Sequence, residues 1–158
     1  MKNGNNIILI QDSREQTPLT INHRYITETK VQKLLVGDYM VMLNDGHIPP
    51  ISFERKSQSD ATGTLTQGYS RYRKEIKRAI ENKILLVMII ECSLTKFLKG
   101  IPQSQRSGEE MLSQIFTIAL KYRVPFVFCN DRAESSRFIL ETFLAYGRSY
   151  MINKKGKK

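Results

Sequence analysis

Apolar and polar positions follow two rhythms along this chain, and the change between them divides it. Before residue 60 the apolar positions come in short runs or alternate. Ile7–Ile10 is an unbroken run that ends in the polar stretch QDSREQTP, the pattern of a buried strand running into a loop. Tyr25 to Lys30 alternates large and polar side chains and reads as a second strand. Tyr39–Leu43 follows Gly37 as a third, and Asn44-Asp45-Gly46 has the chemistry of a reversing turn. Ile48–Phe53 is expected to return beside it, with Pro49-Pro50 confining its early pairing to an edge or bulge. From Tyr69 the period lengthens to that of a helix: Tyr69, Tyr72, Ile76, Ala79 and Ile80 share a face, opposite Arg71, Lys74 and Arg78. Ile84–Ile90 is apolar throughout, as a central strand covered on both sides requires. A helix is predicted from Ser107, an N-cap with Glu110 three places on, to Tyr122. Pro125–Cys129 reads as a strand, and Asp131 as the cap of a last helix through Phe138, Phe143 and Tyr146 to Gly147. Strands first, then helix and strand in alternation, predict an α/β domain whose mixed central sheet is flanked by helices on both faces.

Length and charge add a partner to this picture. With 158 residues, 41% of them hydrophobic, the chain closes one core, so residues 1–150 are expected to form a single domain and 151–158 a basic, disordered tail. It has no run of eighteen apolar residues, and MKNGNNIILI lacks the basic and apolar regions of a signal peptide, so a soluble, intracellular (cytoplasmic) protein without a membrane span is expected. Cys92 and Cys129 each close an apolar run and read as buried thiols, and His23 and His47 stand alone, without zinc-ligand spacing. The net charge is +10, concentrated at residues 71–83 and in Asn153–Lys158. That excess points to a polyanion, nucleic acid or an anionic membrane surface, the plain alternative being a basic soluble surface.

Candidate chemistry lies at one end of the Tyr39–Phe53 hairpin. Asp38 directly follows Gly37, and the reversing turn brings it toward Glu54. If the strand continues, Glu54 and Lys56 point to one side and Arg55 to the other. Two carboxylates and a lysine suit magnesium-dependent hydrolysis of a phosphodiester: Asp38 and Glu54 as hard oxygen ligands, Lys56 orienting water or stabilising developing charge. Arg55 would act through its carbonyl or pair with an acid. Acids and bases two apart on an exposed strand are also ordinary surface chemistry.

The stretch Gly37-Asp38, then Glu54-Arg55-Lys56-Ser57-Gln58-Ser59-Asp60, resembles the XPF-type family of structure-specific endonucleases, whose signature is GD, a variable gap and ERK-x-x-x-D. Asp12-Ser13-Arg14-Glu15 matches the D-x-R-E that ends an earlier strand in that family. The resemblance implies a restriction-endonuclease-like fold and a magnesium or manganese site. On it Asp38 and Glu54 match metal ligands, Asp12 and Glu15 further acids of the site, with Asp12 expected as a third metal ligand, and Lys56 the catalytic lysine. Arg14 matches a basic active-site position, Arg55 one whose carbonyl touches the metal, and Asp60 completes the signature, holding Lys56 or Arg14 or capping the next helix. Asp12 also reads as a turn former and Glu15 as a solvated loop charge.

Arg71, Arg73, Lys74, Lys77 and Arg78 then fit a DNA-phosphate-contacting helix, or simply the solvated face of an amphipathic one. Many relatives carry helix-hairpin-helix domains after the nuclease, and no such segment follows here. DNA binding is then expected from the chain's own basic surface, from a homodimer sharing Phe138, Ile139, Phe143 and Leu144, or from a separate targeting protein. A chain this compact would suit a phage or mobile element. The function expected is a metal-dependent endonuclease acting on branched or irregular duplex DNA. The alternatives are a non-catalytic DNA-binding scaffold of the same fold and a nicking or sequence-specific nuclease.

Overall fold

A computed structural model describes residues 6–102 and 104–155. Strands β1 (Ile7–Asp12), β2 (Ile26–Gln32), β3 (Tyr39–Leu43) and β4 (Ile51–Ser57) come first. Helices α1 (Gln58–Leu65) and α2 (Tyr69–Glu81), strand β5 (Leu85–Glu91), helices α3 (Leu94–Leu98) and α4 (Gly108–Tyr122), strand β6 (Phe126–Cys129) and helix α5 (Arg132–Lys155) follow. The strands form one mixed sheet in the order β2-β1-β3-β4-β5-β6. β3 is antiparallel to both β1 and β4, while the β1–β2, β4–β5 and β5–β6 pairs are parallel. This is the expected α/β architecture, with helices on both faces.

Alternation along β5 shows how the sheet divides the interior. Val87 and Ile89 join Ile7, Leu9, Tyr39, Val41 and Phe53 under α5, which contributes Ile139, Phe143 and Leu144. Leu86, Met88 and Ile90 join Leu65, Tyr72, Ile76, Phe97, Met111 and Ile115 on the other face. A strand buried on both sides needs the continuous apolar run that β5 has. Cys92 and Cys129 are free, buried thiols, one in each cluster.

Several expected boundaries shift, each for a local reason. α1 follows β4 directly, although QSDATGTL has no apolar period; Ser57 caps it by accepting from the Asp60 N–H. Ser93 caps the short α3 in the same way. β2 extends to Gln32 and β4 through the Glu-Arg-Lys triplet to Ser57. Ile80 is exposed rather than part of the buried face of α2. Ser107 and Glu110 do form a capping box at α4.

The last helix does not stop at Gly147. It passes that residue against Leu43 and runs to Lys155, held by the β3–β4 turn: Tyr150 Oη and Lys154 Nζ both donate to Asp45 Oδ2, and His47 stacks on Tyr150. The rest of the expected basic tail, residues 156–158, lies outside the described residues. Ile139, Phe143 and Leu144 pack into this chain's own core, so the apolar face assigned to a homodimer is used internally, leaving Phe138 at its margin. Among the described residues no helix is long and apolar enough to cross a membrane.

Candidate active site

The site begins with a turn that only glycine can make. Gly37 has φ +72°, and a Cβ there would meet the Ser52 hydroxyl and lie 2.9 Å from the Phe53 carbonyl oxygen. The chain therefore passes close to β4, Asp38 N donates to Phe53 O at 2.6 Å, and Tyr39 pairs with Phe53. Asp38 thus comes beside Glu54, and its Oδ2 accepts from Arg55 N at 2.8 Å. One strand further, Asp12 N donates to Asp38 O at 2.8 Å, which joins the Asp-Ser-Arg-Glu loop to the Gly-Asp turn.

Because β4 continues through residues 54–56, Glu54 and Lys56 share a side, and Lys56 Nζ lies 2.5 Å from Glu54 Oε1. Burial and the nearby Glu54 charge push Asp38 up to about 8, against the opposing pull of the Arg55 N–H. Burial also raises Glu54, although Lys56 works the other way. Burial alone would lower the Lys56 ammonium, but Glu54, Asp38 and Glu75 together hold it above its ordinary value. Two acids forced together, with a lysine as their nearest counter-charge, form a centre that favours added positive charge.

Arg55 leaves β4 on the opposite face and enters a buried ion network. Its Nη1 donates to Glu91 Oε2 at 2.7 Å, and its Nη2 to Glu15 Oε1 at 3.1 Å and to the carbonyl and hydroxyl of Thr17. The three charged side chains are each less than a tenth exposed, so Glu15 is not a solvated loop charge. Glu91 was absent from the sequence-based site. Its signal is a charge closing the apolar run of β5, but only the β4–β5 register, which sets Glu91 against Ser57, brings it to Arg55.

Asp12 and Arg14 form a closed pair. Asp12 is buried; its Oδ1 accepts from Arg14 N and Nε, and its Oδ2 from Arg14 Nη2 and Leu34 N. Burial raises Asp12, but these donors outweigh it and hold the carboxyl below its ordinary value. The same contacts aim the Arg14 guanidinium at the site. Asp60 is not the cap of the following helix, because Ser57 is. Asp60 occupies the third position of α1, and its Oδ2 accepts from the Ser57 hydroxyl at 2.6 Å.

Two adjoining grooves share Arg14, Lys56 and Asp60. One, about 560 Å³, holds Glu15, Asp38, Glu54, Arg55 and Glu91, with Arg132 at its side. The other, about 590 Å³, runs along α1 and α2 and is lined by Arg71, Arg78, Tyr72 and Glu75. Arg71, Glu75 and Arg78 fall on one stripe of α2 at 100° per residue, with Lys74 at its flank, whereas Arg73 and Lys77 turn away. The five basic residues of this helix are all exposed but do not act as one surface. Tyr72 is a core residue whose buried hydroxyl has no hydrogen-bond partner among the described residues.

Hard carboxylate oxygens from Asp38 and Glu54, placed side by side and repelling one another, suit a small divalent cation. Among the described residues no three His, Cys, Asp or Glu side chains gather closely enough to hold one by themselves. The donor set therefore fits a metal that also takes backbone, water or phosphate oxygens.

A mixed six-stranded sheet between helices, with one acid just before β3 and a second acid and a lysine on β4, defines a restriction-endonuclease-like α/β fold of the nuclease class. The family model for the ERCC4 domain matches residues 11–142, and the chain belongs to that family. Its fold is similar to a solved structure of XPF from Aeropyrum pernix, with a TM-score of 0.65 and 17% identity over 94% of this chain and 69% of that one. A second structure, XPF from Aeropyrum pernix in complex with DNA, gives a TM-score of 0.62 and 19% identity over 90% of this chain and 65% of that one. The chain thus spans about two thirds of these relatives. No curated protein sequence matches it.

Proposed function

We propose that this chain is a magnesium- or manganese-dependent DNA endonuclease that hydrolyses phosphodiester bonds in branched or irregular duplex DNA. The observation that carries the reading is the pairing of Asp38 with Glu54, in which Asp38 is pushed up to about 8 on the wall of a groove that also holds Lys56. Asp38 and Glu54, with the Arg55 carbonyl, would hold the ion. Bound there, it would polarise the scissile phosphate and acidify an attacking water.

The chain's own residues do the rest. Lys56 turns from Glu54 to the phosphate and stabilises charge as it develops. Arg14, held rigid by Asp12, supplies a second positive group from the groove wall, so Asp12 acts through Arg14. Glu15 and Glu91 fix Arg55, whose backbone N–H sets the orientation of Asp38. Asp60 braces the start of α1 beside Lys56. Arg71 and Arg78, with Lys74, bind backbone phosphates along α2, contacts that position DNA without reading its sequence; Arg73 and Lys77 add diffuse attraction. The structural relative in complex with DNA supports nucleic acid as the partner. A homodimer would need a surface other than the α5 core face; Phe116 and Leu120 of α4 are large and exposed.

One observation favours a non-catalytic scaffold instead: Lys56 already neutralises Glu54 directly. Incubation with forked, flap, four-way and plain duplex DNA, in magnesium, manganese or chelator, decides between them. Metal-dependent cutting is expected, strongest on branched DNA and lost in Asp38→Asn and Glu54→Gln. No cleavage of any substrate sinks the enzyme, and equal cleavage of plain duplex sinks its structure selectivity.

A further inference from the structure

Glu75 is the one acid within the basic sequence RYRKEIKR, and it lies on the stripe of α2 that faces the groove, between Arg71 and Arg78. On a phosphate-binding surface a carboxylate repels the ligand, so its position calls for another purpose. Partnering the neighbouring arginines is not that purpose, because among the described residues Glu75 enters no ion pair. Its Oε1 instead accepts from Gly37 N at 3.0 Å, a bond that joins segments 38 residues apart.

That contact reaches a backbone group with little freedom. The Gly37 turn is pressed against Ser52 and Phe53, the Ser52 hydroxyl donates to Val36 O at 2.7 Å, and the next residue is Asp38. Asp38 is held in turn by Phe53 O through its N–H and by Arg55 N through its carboxylate. The Glu75 bond to Gly37 N thus places α2 one residue from the acid beside Glu54.

We propose that Glu75 is a positioning residue that ties the phosphate-facing stripe of α2 to the Gly37-Asp38 turn, so that a nucleic-acid backbone phosphate seated against Arg71 and Arg78 orders Asp38. The inference rests on the nuclease reading for its catalytic consequence, but not for the mechanical link. The DNA-contacting helix thereby gains a second role, because substrate that engages the groove also steadies the acid pair.

Replacement by glutamine keeps an acceptor at this position and removes the charge, whereas alanine removes both. In Glu75→Ala, kcat on forked DNA with magnesium is expected to fall tenfold or more, with KM within about twofold, because a hydrogen bond to a charged acceptor is lost. The Gly37 amide, followed by NMR in chelator, should exchange about tenfold to a hundredfold faster, and a short DNA fork that slows its exchange in the wild type should no longer do so. Glu75→Gln should restore both. Unchanged Gly37 exchange in Glu75→Ala overturns the proposal, and so does a Glu75→Gln protein as impaired as the alanine variant. If Glu75→Ala does not fold, Glu75→Met removes the acceptor while keeping the length of the side chain. If the wild type cuts no DNA, the nuclease reading fails by itself, and the exchange measurements still decide the link.

Discussion

Two aspartates flank β3 and live in opposite worlds. Asp45, in the turn that leaves the strand, accepts from Lys154, Tyr150 and the His47 N–H and is pulled down to about 2. Asp38, at the other end, is buried beside a second carboxylate and pushed up to about 8. The strand between them is five residues long. At the Asp45 end the carboxylate has its opposite in Lys154, and the contact holds α5 against the hairpin. At the Asp38 end like charges are crowded together, an arrangement that works against folding and survives because the surrounding structure enforces it. Crowding of this kind is what the proposed capture of a cation and a phosphate would call for.

The sharpest way to break this contrast is Asp38→Asn. Between pH 3.8 and about 8 the folded chain keeps a proton on Asp38 that the unfolded chain releases, so wild-type stability falls as pH rises through that window. The asparagine variant should melt higher than wild type at pH 8 in chelator, with the gap closing toward pH 4, while DNA cleavage drops by at least about a hundredfold. A gap that does not change with pH would mean that Asp38 is not held protonated by the fold. Glu91→Ala tests a third arrangement, charge that is buried and paired: it removes one partner from Arg55 and should cost roughly 3 kcal/mol in urea unfolding. A loss under about 0.5 kcal/mol would show that Glu15 alone suffices for Arg55. The smallest effect belongs to Asp45→Asn. Asp45 stabilises the folded chain above pH 3.8, and that contribution is lost as pH falls toward 2. Because the contact is exposed, the variant should lower the melting temperature at pH 7 by about 2 °C or less and match wild type near pH 2; a large drop at pH 7 would give the turn contact a greater structural role.

What could be read from the chain followed from periodicity and from motif order. The hairpin, the return of Glu54 to Asp38 and the shared side of Glu54 and Lys56 all come from period-two alternation about a recognisable turn. The capping box of α4 and the apolar β5 were equally visible. The helix α1 was not, because Ala61 and Leu65 are its only apolar residues and its cap, Ser57, is also the last residue of a strand. Glu91 and Glu75 were hidden for a different reason: their roles depend on strand register and on helix docking across tens of residues. The end placed at Gly147 failed because the contacts that carry α5 onward belong to Asp45 and His47, a hundred residues earlier.

The direct passage from β4 into α1 has a consequence for how the sequence can vary in length. Lys56 is followed by the cap Ser57, then Gln58 and Ser59, and Asp60 returns to Ser57 after one turn. An insertion or deletion among these residues would rotate Asp60 off the cap and out of the groove. The stretch from Asp38 to Glu54 obeys no such rule, since its turn lies at the far end of the hairpin and can lengthen without disturbing the pair of acids. The fixed x-x-x and the variable gap of the signature are therefore two tolerances for length, one set by a helical turn and the other by a loop remote from the site.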